Sequence, residues 1–174
     1  FKIRPGITFH DGSALTAQDV VWTFKSHLDP ANKSNAAGKF KGILDTAGVK
    51  KVDKFTVQFD LLSAVGTFPY LLAGTSYGLL IIKNGESGGP TWEAKMNGCG
   101  PYIFESYVKG DRATFKKNPN YWDKTRQPKF DKLVTISFES QEAAVAQILT
   151  GKLDATTGIT GALATKINKK KIDL

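Results

Sequence analysis

Two stretches of this 174-residue chain fit the pattern G-x-S-x-G: Gly74-Thr75-Ser76-Tyr77-Gly78 and Gly85-Glu86-Ser87-Gly88-Gly89. In that pattern the serine is a nucleophile held at a sharp turn, with a strand before it and a helix after it. Ser76 meets the reverse order, because a helical stretch precedes it and a strand-like run follows. Ser87 lies in a glycine-rich loop with no helix-forming sequence directly behind it. His10 and Asp11 are neighbours, and neighbours on an extended chain point to opposite faces, so they make a poor acid–base pair. The two histidines, His10 and His27, and the single cysteine, Cys99, do not furnish a closed transition-metal site. Cys99 stands between two glycines, where a small residue filling a tight turn is expected rather than a reactive thiol. No phosphate loop or dinucleotide fingerprint is present, so no cofactor is expected. The aromatic residues Trp22, Trp92, Tyr102, Tyr121 and Trp122 could stack on a ligand.

The elements around these residues follow from periodicity. Phe1 and Ile3, then Ile7 and Phe9, alternate with polar residues across Pro5-Gly6, which predicts two short strands or one kinked strand. Thr16 caps a helix, with Asp19 reaching back as the shorter-armed partner of a capping box. Ala17, Val20, Val21, Phe24 and Leu28 then form one apolar stripe, and Asp29-Pro30 ends the helix. Residues 31–42 read as a lysine-rich loop with a short helix. A strand over residues 55–61 pairs with 49–52 through Asp53-Lys54. Residues 68–72 predict a short helix and 79–82 a buried strand. Further on, 102–108 and 112–116 form a hairpin at Gly110-Asp111, and 133–138 is another strand. Ser140 caps a helix that directs Val145, Ile148 and Leu149 inward and stops at Gly151. Strands and helices mix irregularly, so the fold class is mixed α/β.

The bulk composition agrees with a packed domain. Apolar residues make up 41% and charged residues 23%, and no apolar run approaches the ~20 residues of a membrane-spanning helix. The formal net charge of +8 permits a basic nucleic-acid or anionic-surface binding module. Its lysines are spread along the chain, however, with Lys169-Lys170-Lys171 the one short run, and no finger or helix-turn-helix spacing accompanies them. That module is the alternative function, with an α/β hydrolase third.

The order of motifs points elsewhere. The run Phe1-Lys2-Ile3-Arg4-Pro5-Gly6-Ile7-Thr8-Phe9-His10-Asp11-Gly12-Ser13-Ala14-Leu15-Thr16-Ala17-Gln18-Asp19-Val20-Val21 resembles the segment L-R-x-G-V-x-F-H-D-G-x-P-L-T-A-x-D-V-V of bacterial peptide-, dipeptide- and nickel-binding solute-binding proteins, family 5. Gly98-Cys99-Gly100-Pro101-Tyr102 resembles their G-T-G-P-Y, Asn118-Pro119-Asn120-Tyr121-Trp122 their N-P-x-Y-W, and Ala146 to Asp154 their A-L-x-x-G-E-I-D. Departures are Ala14 for proline, Cys99 for threonine and Lys152 for an acid.

The resemblance implies a fragment of an extracytoplasmic binding protein that is not an enzyme. Its fold would be part of the periplasmic-binding-protein type II fold, with residues 1–97 as a smaller lobe and 98–174 as part of the first large lobe. A second large lobe would be absent. The function implied is capture of a small solute, a peptide or a related molecule, in an interlobe cleft, for delivery to the membrane permease components of an ABC importer. The place implied is the periplasm or the outer face of the cytoplasmic membrane. No nucleic acid is an expected partner. Relatives direct the residues after their G-E-I-D strand into the cleft, which corresponds here to Thr156, Thr157, Gly158 and Ile159. Lys117, just before Asn118, corresponds to a cleft-facing arginine in some metal-chelate binders.

Overall fold

The computed structural model describes residues 1–74, 80–86 and 96–168. They form two compact units, Phe1–Glu105 with Phe115–Leu133, and Ser106–Thr114 with Val134–Leu174.

In the first unit, helix α1 (Ala17–Leu28) starts as its residues dictate. Thr16 Oγ1 accepts from the Gln18 amide, and the Asp19 carboxylate accepts from the Thr16 amide at 2.7 Å, completing a capping box. Ala17, Val20, Val21 and Phe24 are buried on one stripe. Strand β1 (Val49–Asp53) pairs antiparallel with β2 (Thr56–Phe59), Val49 opposite Phe59 and Lys51 opposite Val57. The turn takes Asp53 to Phe55, whose amide is held by Asp53 Oδ1 at 2.8 Å, so β2 starts one residue later than its apolar pattern does. Helix α2 (Phe68–Ala73) closes the group. Phe24, Phe40, Leu44, Val49, Val57 and Phe68 make one core, in which the Phe24 ring meets Phe59 at 4.8 Å and Phe40 at 5.6 Å.

Two expectations change here. The alternating N-terminal residues form isolated bridges rather than strands, Lys2 with Thr56 and Thr8 with Ala14. Ile3 still donates to the Phe55 carbonyl and Val57 to that of Phe1, so the N-terminal residues run along β2 until Pro5, which has no N–H to offer. The lysine-rich stretch holds 3-10 turns, Pro30–Asn32 and Asn35–Phe40, the second delivering Phe40 to the core. The strand expected at 79–82 is not formed by residues 80–82, and Leu80 is 74% exposed. Side chains of α1 take up the backbone of that segment instead, as described below. Leu79 lies outside the described residues.

Strands β3 (Tyr102–Val108), β4 (Arg112–Lys117) and β5 (Lys132–Ile136) form a sheet in that order. The β3–β4 turn is closed by the Asp111 amide on the Val108 carbonyl, with Gly110 at φ +76°, where a side chain would be strained. Bonds from Lys117 to Asp131 and from Ser137 to Asp111 make β4 and β5 antiparallel.

In the second unit, helix α3 (Gln141–Leu149) is capped by Ser140 Oγ on the Ala143 amide. It ends in a Schellman motif, with Lys152 N–H on the Gln147 carbonyl and Gly151 N–H on that of Ile148, Gly151 standing at φ +71°. Val145 packs with Leu163 of a further helix, α4 (Gly161–Asn168), and with Leu149 and Ile159. Helix α4 is not announced by the sequence, because it opens on Gly161 and its eight residues give too short an apolar repeat to stand out.

The sheet carries a liability. Strand β5 is an edge strand, and Leu133 and Val134, which point to opposite faces, are 41% and 38% exposed, beside Phe130 at 75%. Exposed apolar edges drive association. The 174-residue chain is expected to self-associate in sedimentation velocity runs, and Val134→Lys to shift it toward monomer. A sharp monomer peak for the unmodified chain at all concentrations would refute this.

Candidate functional site

Three of the four motifs that carry the resemblance meet in space. In the turn that begins at Phe9, the His10 amide donates to the Gly98 carbonyl at 2.7 Å. The His10 ring bonds twice more to the same stretch, with Nδ1 3.3 Å from the Gly98 amide and Nε2 3.1 Å from the Gly100 carbonyl. Asn118, 5% exposed, closes the other side. Its amide donates to the Pro101 carbonyl at 2.8 Å and its Nδ2 to that of Gly100 at 3.0 Å, while its Oδ1 accepts from Asn120. Three segments far apart in sequence therefore share one polar joint, built largely on backbone groups. Trp122 of the same motif lies under the Arg4 guanidinium, 4.9 Å from the ring centre, and 5.5 Å from the Tyr121 ring.

Beside the joint lies an open cleft of about 400 Å³, lined by His10, Asp11, Glu86, Met96, Asn97, Phe104 and Glu105. Asp11 is its most strongly held charge. Its carboxylate accepts from Lys83 Nζ at 2.6 Å and from Ser13, which keeps it far below the usual carboxylate range and raises Lys83 in turn. Asn97 bridges Asp11 and Glu86. The His10 ring and the Asp11 carboxylate bond to different partners, so they do not form an acid–base pair. Burial pushes the Cys99 thiol up, away from the thiolate that reactivity needs.

Glu86, which lines the cleft, ends a segment that α1 holds by its backbone. Asp19 Oδ1 accepts from the Asn84 amide at 2.9 Å, Thr23 Oγ1 accepts from the Ile82 amide at 2.9 Å, and Trp22 Nε1 donates to the Glu86 carbonyl at 2.7 Å. Trp22, read as a stacking candidate, is engaged as a hydrogen-bond donor to the chain. Ser76, Ser87 and Trp92 lie outside the described residues.

The residues expected to face a solute fall in different units. Lys117, in the first, directs Nζ to Asp131 at 3.8 Å. Thr156, Thr157, Gly158 and Ile159, in the second, precede α4. Thr156 is half-buried and Thr157 exposed, Gly158 stands at φ +73°, and Ile159 packs toward Val145 and Leu163.

Comparison with known proteins follows the same lines. The family described as "Bacterial extracellular solute-binding proteins, family 5 Middle" matches residues 1–174. Di/tripeptide-binding protein 4 of Pseudomonas aeruginosa (strain UCBPP-PA14) is 30% identical over 155 residues, covering 77% of this chain and 28% of that protein. Oligopeptide-binding protein OppA of Bacillus subtilis (strain 168) is 28% identical over 182 residues, covering 95% and 33%. Among solved structures, NikZ of Campylobacter jejuni in complex with Ni(L-His) superimposes with a TM-score of 0.80 at 24% identity, over 98% of this chain and 33% of that one. The chain spans about a third of the length of these relatives. The fold is therefore part of the periplasmic-binding-protein type II fold, of mixed α/β class.

Proposed function

This chain belongs to the family 5 bacterial extracellular solute-binding proteins, and from that premise we propose that the full-length protein is the substrate-binding component of an ABC importer that captures peptides. The observation that carries the reading is the joint, where the motifs around His10, Gly98 and Asn118 are bonded together within a chain that the family matches from end to end. The basic-module alternative gains nothing comparable, since the lysines remain dispersed in sequence.

In this reading residues 1–97 form a smaller lobe and 98–174 part of the first large lobe. Thr156 and Thr157 offer hydroxyls, and Gly158 an unobstructed backbone, to a peptide main chain. Ile159 sets the position of that stretch by packing, and Lys117 is the weaker candidate. The protein works outside the cytoplasmic membrane, in the periplasm or on the membrane's outer face, and passes its solute to the permease. It is a binder, so no serine acts as a nucleophile. Among the described residues no helix is long and apolar enough to cross a membrane.

Isothermal titration of the full-length protein with a panel of di- and tripeptides tests the proposal. Saturable binding is expected, weakened about tenfold by a Thr156→Ala, Thr157→Ala double variant, the size of a lost hydrogen bond or two. The 174-residue chain alone should bind far more weakly, because trapping a ligand needs both jaws. Peptides that fail to bind while DNA binds tightly at physiological salt would overturn the reading.

A further inference from the structure

We propose that His10 is a positioning residue that welds the junction between residues 1–97 and 98–174, and that it does so only as the neutral imidazole with its hydrogen on Nε2. A backbone N–H can be received only by a ring nitrogen without a hydrogen, and the Gly98 amide faces Nδ1 at 3.3 Å. The ring hydrogen then belongs on Nε2, which faces an acceptor, the Gly100 carbonyl, at 3.1 Å. The Asn118 Nδ2 takes the other lone pair of that carbonyl at 3.0 Å. The ring also packs on the chain, since a side-chain carbon added at Gly98 would lie 3.5 Å from His10 Cε1. With the main-chain bond from His10 to the Gly98 carbonyl, one residue grips three backbone groups, two of Gly98 and one of Gly100.

The two stretches joined here are those that the proposed function assigns to different lobes, and the inference rests on that reading for its meaning. A junction gripped this way does not flex, so movement that closes on a solute must take place elsewhere in the full-length protein.

Backbone hydrogen exchange on this chain, with no solute present, tests the weld apart from the binding reading. The Gly98 amide is expected to be protected in the unmodified chain. It should exchange about tenfold faster in His10→Ala, the factor that one lost hydrogen bond supports, while the Val57 amide of β2 is unchanged. His10→Gln, whose side-chain amide can both accept and donate, should recover part of the protection. The ring's nitrogen spectrum should show hydrogen on Nε2 in the unmodified chain, which decides the point even where His10→Ala fails to fold. An Nδ1–H tautomer, or a Gly98 amide that exchanges as in an unstructured chain, would overturn the proposal. Failure of peptide binding by the full-length protein would leave it standing.

Discussion

Phe40→Ala is expected to lower the unfolding free energy by about 3–5 kcal/mol, the range for emptying a large aromatic site that cannot collapse. Phe40 has no exposed surface, and its ring meets Phe24 at 5.6 Å and Phe68 at 6.4 Å. It reaches them as the last residue of a 3-10 helix, Asn35–Phe40, whose other buried side chain is the small Ala36. Losing the ring therefore removes both core volume and the anchor of the turn. Domains have only about 5–15 kcal/mol in hand, so the variant should be largely unfolded in mild urea. Phe40→Leu, which refills most of the volume, should lose much less. Urea titration followed by circular dichroism reads the difference, and a Phe40→Ala midpoint equal to that of the parent would contradict the core described here.

Asp19→Ala is the other large effect, at about 2–4 kcal/mol. The carboxylate is 5% exposed and serves two structures at once. Oδ2 accepts from the Thr16 amide and hydroxyl, and Oδ1 from the Asn84 amide. Alanine removes a helix cap, worth about 1 kcal/mol, and strands a second N–H, at about 1–3 kcal/mol more. Asp29→Ala makes the comparison, since its cap on Ala31 is exposed and its loss should cost well under half as much. Equal stabilities for the two variants would show that the Asp19 bonds to Asn84 and Thr16 carry no weight.

How much of this was legible in the sequence depends on whether a feature is local. Thr16 with Asp19, Ser140, Gly151 and the stripe from Ala17 to Leu28 describe their own neighbourhoods, and each was readable from residue type and spacing. The β1–β2 pairing was equally plain, because the alternation from Phe55 to Leu61 is unbroken. The expected strand at 79–82 is not formed by residues 80–82, because a run of apolar residues cannot by itself distinguish a buried strand from an irregular segment pinned by side chains. The roles of His10 and Asn118 were out of reach, since their partners lie 88–90 and 17–18 positions away. Their motifs could be recognised as a set, but which backbone groups they hold depends on the path of the chain between them. The placing of Thr156 to Ile159 before α4 was missed for a simpler reason: eight residues opening on a glycine carry too little periodicity to announce a helix.

The attachment of residues 82–86 to α1 has a consequence for how this surface can evolve. Asp19, Trp22 and Thr23 bond to the Ile82, Asn84 and Glu86 backbone, and to none of their side chains. Such a contact is blind to what the attached residues are. Asn84, exposed and held by its backbone amide, can be exchanged without loosening the segment, whereas Lys83 and Glu86 are tied in addition by their side chains to Asp11 and Asn97. Three positions on one helix thereby hold the main chain in place, so descendants of this protein can vary residue 84 by single substitutions and keep the scaffold that presents the cleft.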